Sequence, residues 1–279
     1  MTTSSSPSAL ASAGPLLLVG AGKMGGALLS GWLRGGLAPA DVTVVDPFLA
    51  PELAAELDAA GVTHRADPPP AGPFATLVLA VKPQMMGAVL PQLAALRGPD
   101  TLVISIAAGT TLATLTNALG AGPTVRVMPN TPAMIGHGTA GAVAGPGVSA
   151  AGRAVTHALM TAVGTLDWVE TEAGIDAVTA LSGSGPAYVF HLVEAMAAAG
   201  EKLGLAPDLA MRLARSTVAG AGALLDASEL DAATLRKNVT SPGGTTAAAL
   251  AVLMTEPSLT SLMTQAIAAA ERRSRELAG

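Results

Sequence analysis

The sequence predicts an α/β fold, with an N-terminal doubly wound sheet followed by an all-helical C-terminal half. Three observations carry that prediction. Short apolar runs alternate with helix-length segments from Leu16 to about Val169, the pattern of βαβ units in a parallel sheet with helices on both faces. A glycine-rich turn joins the first apolar run to the first helical one. From about Thr171 onward the strand pattern stops, and long alanine-rich helical segments take over.

The first element, Leu16–Val19, is wholly apolar, as a strand buried on both faces must be. Gly20, Ala21, Gly22, Lys23, Met24 and Gly25 follow, and Ala27, Leu28, Trp32 and Leu33 then recur at helical spacing up to the Gly35-Gly36 stop. Val42–Val45 is the second strand and ends in Asp46, 21 residues after Gly25. Strand, G-x-G-x-x-G, helix, strand and terminal acid together form the dinucleotide-binding fingerprint of a Rossmann-type sheet. The glycines allow a tight turn and close approach to a pyrophosphate, and the helix start offers its amides. Next come a helix over 52–60, a Pro68–Pro73 loop, a strand over Ala75–Val81 and the strand-end pair Lys82-Pro83. A helix around Gly87–Ala95, a strand over Thr101–Ile106, a helix around Leu112–Leu119 and a strand over Val125–Met128 complete the half. Ligands in such sheets sit beyond the carboxyl ends of the strands. Lys82, Ala107, Ala108, Gly109, Pro129, Asn130 and Thr131 all fall there; each alone reads more plainly as a surface turn, and it is their convergence on one edge that points to a site.

In the C-terminal half, 173–181 reads as helix, and Ser182–Pro186 breaks and restarts it with a serine hydroxyl as cap and Pro186 at the first position. Helices over 188–199, 207–225, 246–254 and 259–277 follow. The stretch Asn238 to Thr246 is the most informative of this half. Gly243 and Gly244 let the backbone turn, and Thr245 and Thr246 open a helix whose unpaired amides suit a carboxylate or phosphate. Ser-Pro-Gly-Gly also makes an ordinary loop and cap. This half is about 110 residues long and poor in aromatics and charge, so part of its buried surface is expected to come from a second subunit.

Composition narrows the function classes. The chain is 50% hydrophobic but only 2% aromatic, so alanine and the aliphatics carry the core and favour close helix packing. The long uncharged stretch Thr101–Val125 is broken by Gly109, Gly120, Gly122 and Pro123, and no membrane span is expected. Residues 1–14 are Ser/Ala-rich without the features of a signal peptide and are expected to form a disordered tail. Zero cysteines exclude disulfides and thiolate chemistry and fit a cytoplasmic protein. A net charge of −5 with no basic patch argues against nucleic acid as a partner. The expected division is the tail, a dinucleotide-binding domain over 15–170 and a helical domain over 171–279.

The chain resembles the pyrroline-5-carboxylate reductases in several motifs that follow one another in the family's order. They are GAGKMG (20–25), VKPQ (81–84), SIAAGTTL (105–112), RVMPNTPA (126–133), DAVTALSGSGPAYVF (176–190) and SPGGTT (241–246). The last three are specific to the family; the first is shared with most dinucleotide enzymes. The resemblance implies an interlocking helical dimerisation domain and an assembly of dimers or rings of dimers. It implies hydride transfer from NADPH or NADH to the C=N carbon of Δ1-pyrroline-5-carboxylate, giving L-proline. Gly20–Gly25 and Ala80–Pro83 would touch the cofactor; Val239, Ser241, Gly243, Gly244, Thr245 and Thr246 would hold the imine carboxylate. Thr246 matches the threonine beside the ring nitrogen, where it would be the catalytic hydrogen-bond donor.

Asp46 carries a sharper expectation. A carboxylate after the second strand accepts ribose hydroxyls and repels a 2′-phosphate, which hints at NADH, whereas many members of the family favour NADPH; Asp46-Pro47 as a mere turn is the plainer reading. The histidines at 64, 137, 157 and 191 show no metal-ligand spacing, and no metal is expected. The methionines at 128, 196, 211, 254 and 263 read as core filler. A β-hydroxyacid dehydrogenase is the nearest rival. Its G-x-G-x-x-x-K-x-x-x-N helix begins at Gly183 and Gly185, but Val189 and Val193 stand where lysine and asparagine would. A dinucleotide-sensing dimer without turnover is the non-enzyme alternative, and an intact SPGGTT loop argues against it.

Overall fold

The computed structural model describes residues 10–72 and 74–278. The chain divides into two compact units: the first runs to Gly183 and takes in the end of the chain from Ala270, and Ser184–Ala269 form the second.

Among the described residues the first unit holds one eight-stranded sheet. Its strands are β1 (Leu16–Val19), β2 (Val42–Val45), β3 (Thr63–Arg65), β4 (Thr76–Leu79), β5 (Leu102–Ser105), β6 (Thr124–Met128), β7 (Gly138–Ala144) and β8 (Gly164–Trp168), in the spatial order 3-2-1-4-5-6-7-8. The first six run parallel, with Leu16 of β1 opposite both Val42 of β2 and Thr76 of β4. The connecting helices are α1 (Lys23–Arg34), α2 (Pro51–Ala60), α3 (Met86–Leu93), α4 (Leu112–Leu119), α5 (Ala150–Thr161) and α6 (Glu172–Val178). Period-two alternation splits the strands' side chains between two cores. Leu16, Leu18, Val44, Val78 and Ile104 pack with Leu28 and Trp32 of α1; Leu17, Val19, Leu77, Leu79 and Val103 pack with Leu90 of α3 and Leu115 of α4. That two-sided burial is why these strands are apolar throughout.

The wholly parallel sheet expected from the sequence needs one correction. β7 pairs antiparallel with β6, Arg126 opposite Val143. The connection spans only residues 129–137, too short for a parallel crossover, so the chain must turn back. The short edge strand β3 and the pair β7–β8 also lie outside the expected elements. The tail needs correcting as well: Leu10 and Ala13 are buried in the first core, Leu10 against Gly35. Residues 1–9 of that expected tail, and Pro73 of the Pro68–Pro73 loop, lie outside the described residues.

A partly buried ion pair ties β6 to α6. Arg126 is 4% exposed, and its Nη1 donates to Glu172 Oε1 at 2.6 Å, an oxygen that also accepts from the Leu112 amide at the start of α4. Removing one partner of such a pair leaves a desolvated charge behind. Glu172→Ala is therefore expected to cost about 2–4 kcal/mol. A calorimetric melt should show it as a drop of roughly 5–12 °C in Tm. Arg126→Met with Glu172→Gln should lose less than the single variant.

The remaining helices are α7 (Gly185–Lys202), α8 (Pro207–Ala227), α9 (Ala232–Asn238), α10 (Thr245–Met254) and α11 (Leu259–Ala278). The sequence patterns miss α9, a short helix capped by Asp231, whose carboxylate accepts from Thr234 N. The break at Ser182–Pro186 is also milder than expected. Thr179–Gly183 form a π-helical turn that leads almost directly into α7, Ser184 has helical backbone angles and makes no side-chain cap, and Pro186 takes the second helical position.

Within the second unit, Ala197, Ala210 and Ala214 make the buried cluster joining α7 to α8. Large apolar side chains stay exposed, among them Phe190, Leu213, Val252 and Leu262. The methionines read as core filler are corrected by the same observation, since Met196, Met211 and Met254 lie on these exposed faces. Apolar surface on this scale marks a protein–protein interface. No single helix among the described residues is long and apolar enough to cross a membrane; α10 and α11 pass that test only as a pair bent by 46°.

Candidate active site

The strand order reverses between β1 and β4, and there the carboxyl ends of the parallel strands open a crevice. Gly20 turns the chain out of β1 with a φ of +92°, its amide donating to Val45 O. Gly22 is the N-cap of α1; the helix has no side-chain cap among the described residues and no acid in its first turn, so its positive end faces the crevice. A Cβ built on Gly20 would sit 2.8 Å from the Ala80 carbonyl oxygen, whereas one on Gly22 would meet nothing within 4 Å. The protein itself does not need glycine at position 22. The empty space there is what a close-approaching phosphate would fill, so the turn fits a dinucleotide pyrophosphate.

Asp46 closes β2 beside this turn. Its Oδ2 accepts from Ala21 N and its Oδ1 from Phe48 N, both at 2.8 Å. These bonds fix the carboxylate and use two of its roughly four acceptor positions, leaving the others for a ligand hydroxyl.

Two clefts meet at this edge. One, of about 490 Å³, runs from Gly20 and Asp46 past Phe48 and Asp67 to Lys82 and the side chains of α3. The other, of about 360 Å³, is walled by Lys23, Met24, Pro83, Ala107, Pro129 and Asn130. Gly22, Ala80, Val81 and Lys82 line both, which makes them one continuous surface. Lys82 is exposed at the end of β4, where it faces the clefts. Ala21 and Gly25 line neither. Ala21 is buried with its amide on Asp46, and Gly25 lies under the turn, where a Cβ would run into the Gly20 carbonyl.

Asn130 lines the second cleft with its amide already committed. Its Nδ2 donates to Ser182 O at 3.0 Å and its Oδ1 accepts from Thr139 N at 2.8 Å. It thereby holds the π-helical turn beside β7 and sets Gly183 into the cleft wall. A Cβ on Gly183 would lie 2.8 Å from Met128 Cε, the flexible end of a side chain that also lines this cleft. Gly183, Phe48 and Asp67 are cleft residues that the sequence reading did not single out as such, whereas Thr131 lies at the strand end expected from the sequence. The glycine pair around Ser184 was the signal available for the first of them.

The anion loop belongs to the second unit. Val239 is exposed at the end of α9, Thr240 N bonds back to Lys237 O, and Ser241 O accepts from Gly244 N in a tight turn. Gly243 has a φ of +69°, a conformation that favours glycine, and Gly244 is the N-cap of α10. The first intrahelical bond runs from Ala248 N to Gly244 O, so the amides of Thr245, Thr246 and Ala247 have no acceptor within the helix. Thr246 is half-buried, and its hydroxyl makes no hydrogen bond among the described residues. The loop thus presents several donors to one point, the arrangement an anion requires.

Known proteins resemble the chain in both of its halves. The family model for pyrroline-5-carboxylate reductase dimerisation matches residues 172–277, and that for NADP oxidoreductase coenzyme F420-dependent matches residues 16–109. The chain is 42% identical to the pyrroline-5-carboxylate reductase of Pseudomonas aeruginosa over 94% of its own length and 96% of that relative's. It is 35% identical to the one from Pisum sativum over 93% of its length and 94% of the relative's. Among solved structures, a pyrroline-5-carboxylate reductase from Coxiella burnetii superposes with a TM-score of 0.88 at 34% identity, covering 96% of this chain and 99% of that one. The Plasmodium falciparum pyrroline carboxylate reductase, solved with NADP bound, gives 0.76 at 26% identity, covering 95% and 98%. With matches at this identity over almost its whole length, the chain belongs to the pyrroline-5-carboxylate reductase family.

Proposed function

We propose that the protein reduces the C=N bond of Δ1-pyrroline-5-carboxylate with NAD(P)H, giving L-proline. The observation that carries this reading is the presence of both seats, the glycine-rich turn with Asp46 and the Ser241–Thr246 anion loop, in a chain so similar to named reductases. The reduced nicotinamide supplies the hydride. Gly20, Gly22, Lys23 and Met24 hold the pyrophosphate at the start of α1, with Ala21 and Gly25 shaping the turn. Ala80, Val81, Lys82, Pro83, Ala107, Pro129 and Asn130 form the walls on which the remainder of the dinucleotide rests.

The substrate carboxylate is held by Ser241 and by the Gly243, Gly244 and Thr245 amides, with Val239 covering the loop. Thr246 Oγ1 hydrogen-bonds the ring nitrogen, donating to the free imine or accepting from the N–H of the iminium, and so orients the C=N carbon. A protonated nitrogen accepts hydride far more readily, and a hydroxyl is too weak an acid to be the ultimate proton source. The substrate's own protonation or water supplies that proton, and the chain's work is chiefly orientation. By role, 15–170 make the dinucleotide-binding domain and 171–279 the substrate and dimerisation domain. The exposed apolar faces of α7, α8, α10 and α11 support a homodimer or a ring of dimers, and a chain with zero cysteines fits the cytoplasm.

The test is loss of reduced-nicotinamide absorbance with Δ1-pyrroline-5-carboxylate, run in parallel with NADH and NADPH. Substrate-dependent oxidation is expected; dinucleotide binding without turnover would leave only a sensor. Asp46 predicts the ratio. Two unit charges 4 Å apart cost about 1 kcal/mol in water and about 4 kcal/mol at an effective dielectric of 20. Asp46 is pinned at both oxygens and cannot swing away from a 2′-phosphate, and Asp67 adds a second carboxylate to the same cleft. kcat/KM for NADH should exceed that for NADPH by at least about fivefold. A preference for NADPH would remove this role from Asp46.

A further inference from the structure

We infer that Phe48 is the plate on which the adenine ring of the dinucleotide stacks, so that it sets affinity for the adenosine half. The inference rests on the reading of the cleft as a dinucleotide site. Phe48 is 83% exposed in a chain with only three phenylalanines, and the other aromatic side chains of its unit are engaged elsewhere. Trp32 is fully buried with its indole N–H on Leu159 O, Phe74 packs on a core, and the Arg153 guanidinium lies 4.5 Å over the Trp168 ring. An apolar ring left in water on a small loop is a cost to the free protein, and it falls away if a flat ligand covers the ring.

Position decides which ligand group that is. Phe48 follows Asp46 by two residues, and its amide donates to Asp46 Oδ1, so the ring's backbone is locked to the carboxylate that accepts ribose hydroxyls. It lines the wider cleft at the β2 end, away from the Met128–Asn130 wall of the other. The same cleft is lined by Ala66 and Pro68 after β3 and by Ala88 and Val89 of α3, small apolar groups suited to a planar base. Beside the ribose, away from the reacting end and between apolar walls, the base of the dinucleotide is the flat group that fits.

The test uses ADP-ribose, which carries the adenosine half without the nicotinamide, titrated calorimetrically into the intact protein. Phe48→Ala should weaken its binding by about 5- to 50-fold, the range expected for one lost base–aromatic stack. Phe48→Tyr should restore wild-type affinity, and Phe48→Leu, which keeps apolar bulk without a π-face, should not. Turnover with reduced nicotinamide mononucleotide, which lacks the adenosine, should be equal in wild type and Phe48→Ala. Equal ADP-ribose affinity in wild type and Phe48→Ala would overturn the role of Phe48 alone. Failure of the wild-type protein to bind ADP-ribose would overturn it together with the dinucleotide reading.

Discussion

Replacing Gly22 with alanine is expected to leave the fold intact and to weaken dinucleotide binding on the order of 100-fold. Its backbone angles, φ −64° and ψ −167°, are open to any residue, and a Cβ there meets no protein atom within 4 Å. The methyl group would instead stand where the pyrophosphate must approach the first amides of α1. Gly20→Ala should behave in the opposite way. Its φ of +92° and the Ala80 carbonyl 2.8 Å from a built Cβ make that glycine a requirement of the protein itself. It should cost roughly 1–3 kcal/mol of stability and lower Tm visibly. Thermal melts paired with NADH titrations of the two variants separate the roles. A Gly22→Ala protein that binds as tightly as wild type would place the pyrophosphate elsewhere.

The parts of this molecule that were legible in the sequence are those in which a local pattern and a tertiary demand coincide. Leu16–Val19, the glycine turn and Asp46 could be read together because a parallel strand must be apolar on both faces and a phosphate seat must be free of side chains. β7 could not. Its residues, Gly-Thr-Ala-Gly-Ala-Val-Ala, are small and nearly featureless, and it is a strand because β6 offers it an edge. Gly141 is there because a Cβ would collide with Val178, a contact with no sequence signal. Leu10 shows the converse. A lone leucine in a Ser/Ala-rich stretch reads as tail, yet it fills a space beside Gly35 that only the folded chain creates. Asn130 was placed at the right strand end. The structure adds that its amide spans Ser182 and Thr139, so it acts on the cleft through the backbone it holds. The methionines misled for a related reason: helical spacing of apolar residues looks the same whether the partner is the chain's own core or another surface.

Thr246→Ala is expected to lower kcat/KM by about 5- to 150-fold, the loss of one hydrogen bond of roughly 1–3 kcal/mol in the transition state. Stability should scarcely change. The hydroxyl serves no partner among the described residues, and alanine is the better helix former in the first turn of α10. That combination is informative, because a residue kept for folding would show the reverse. The split between kinetic constants discriminates further. If Thr246 only anchors the carboxylate alongside the Gly243 and Gly244 amides, KM should rise with kcat preserved. If it donates to the ring nitrogen, the bond strengthens as that nitrogen gains electron density during hydride arrival, and the loss should fall on kcat. Thr246→Ser retains the donor and should recover most of the activity, whereas Thr246→Val retains the shape and should not. Wild-type kinetics in Thr246→Ala would take the hydroxyl out of the chemistry and leave the loop as a carboxylate seat alone.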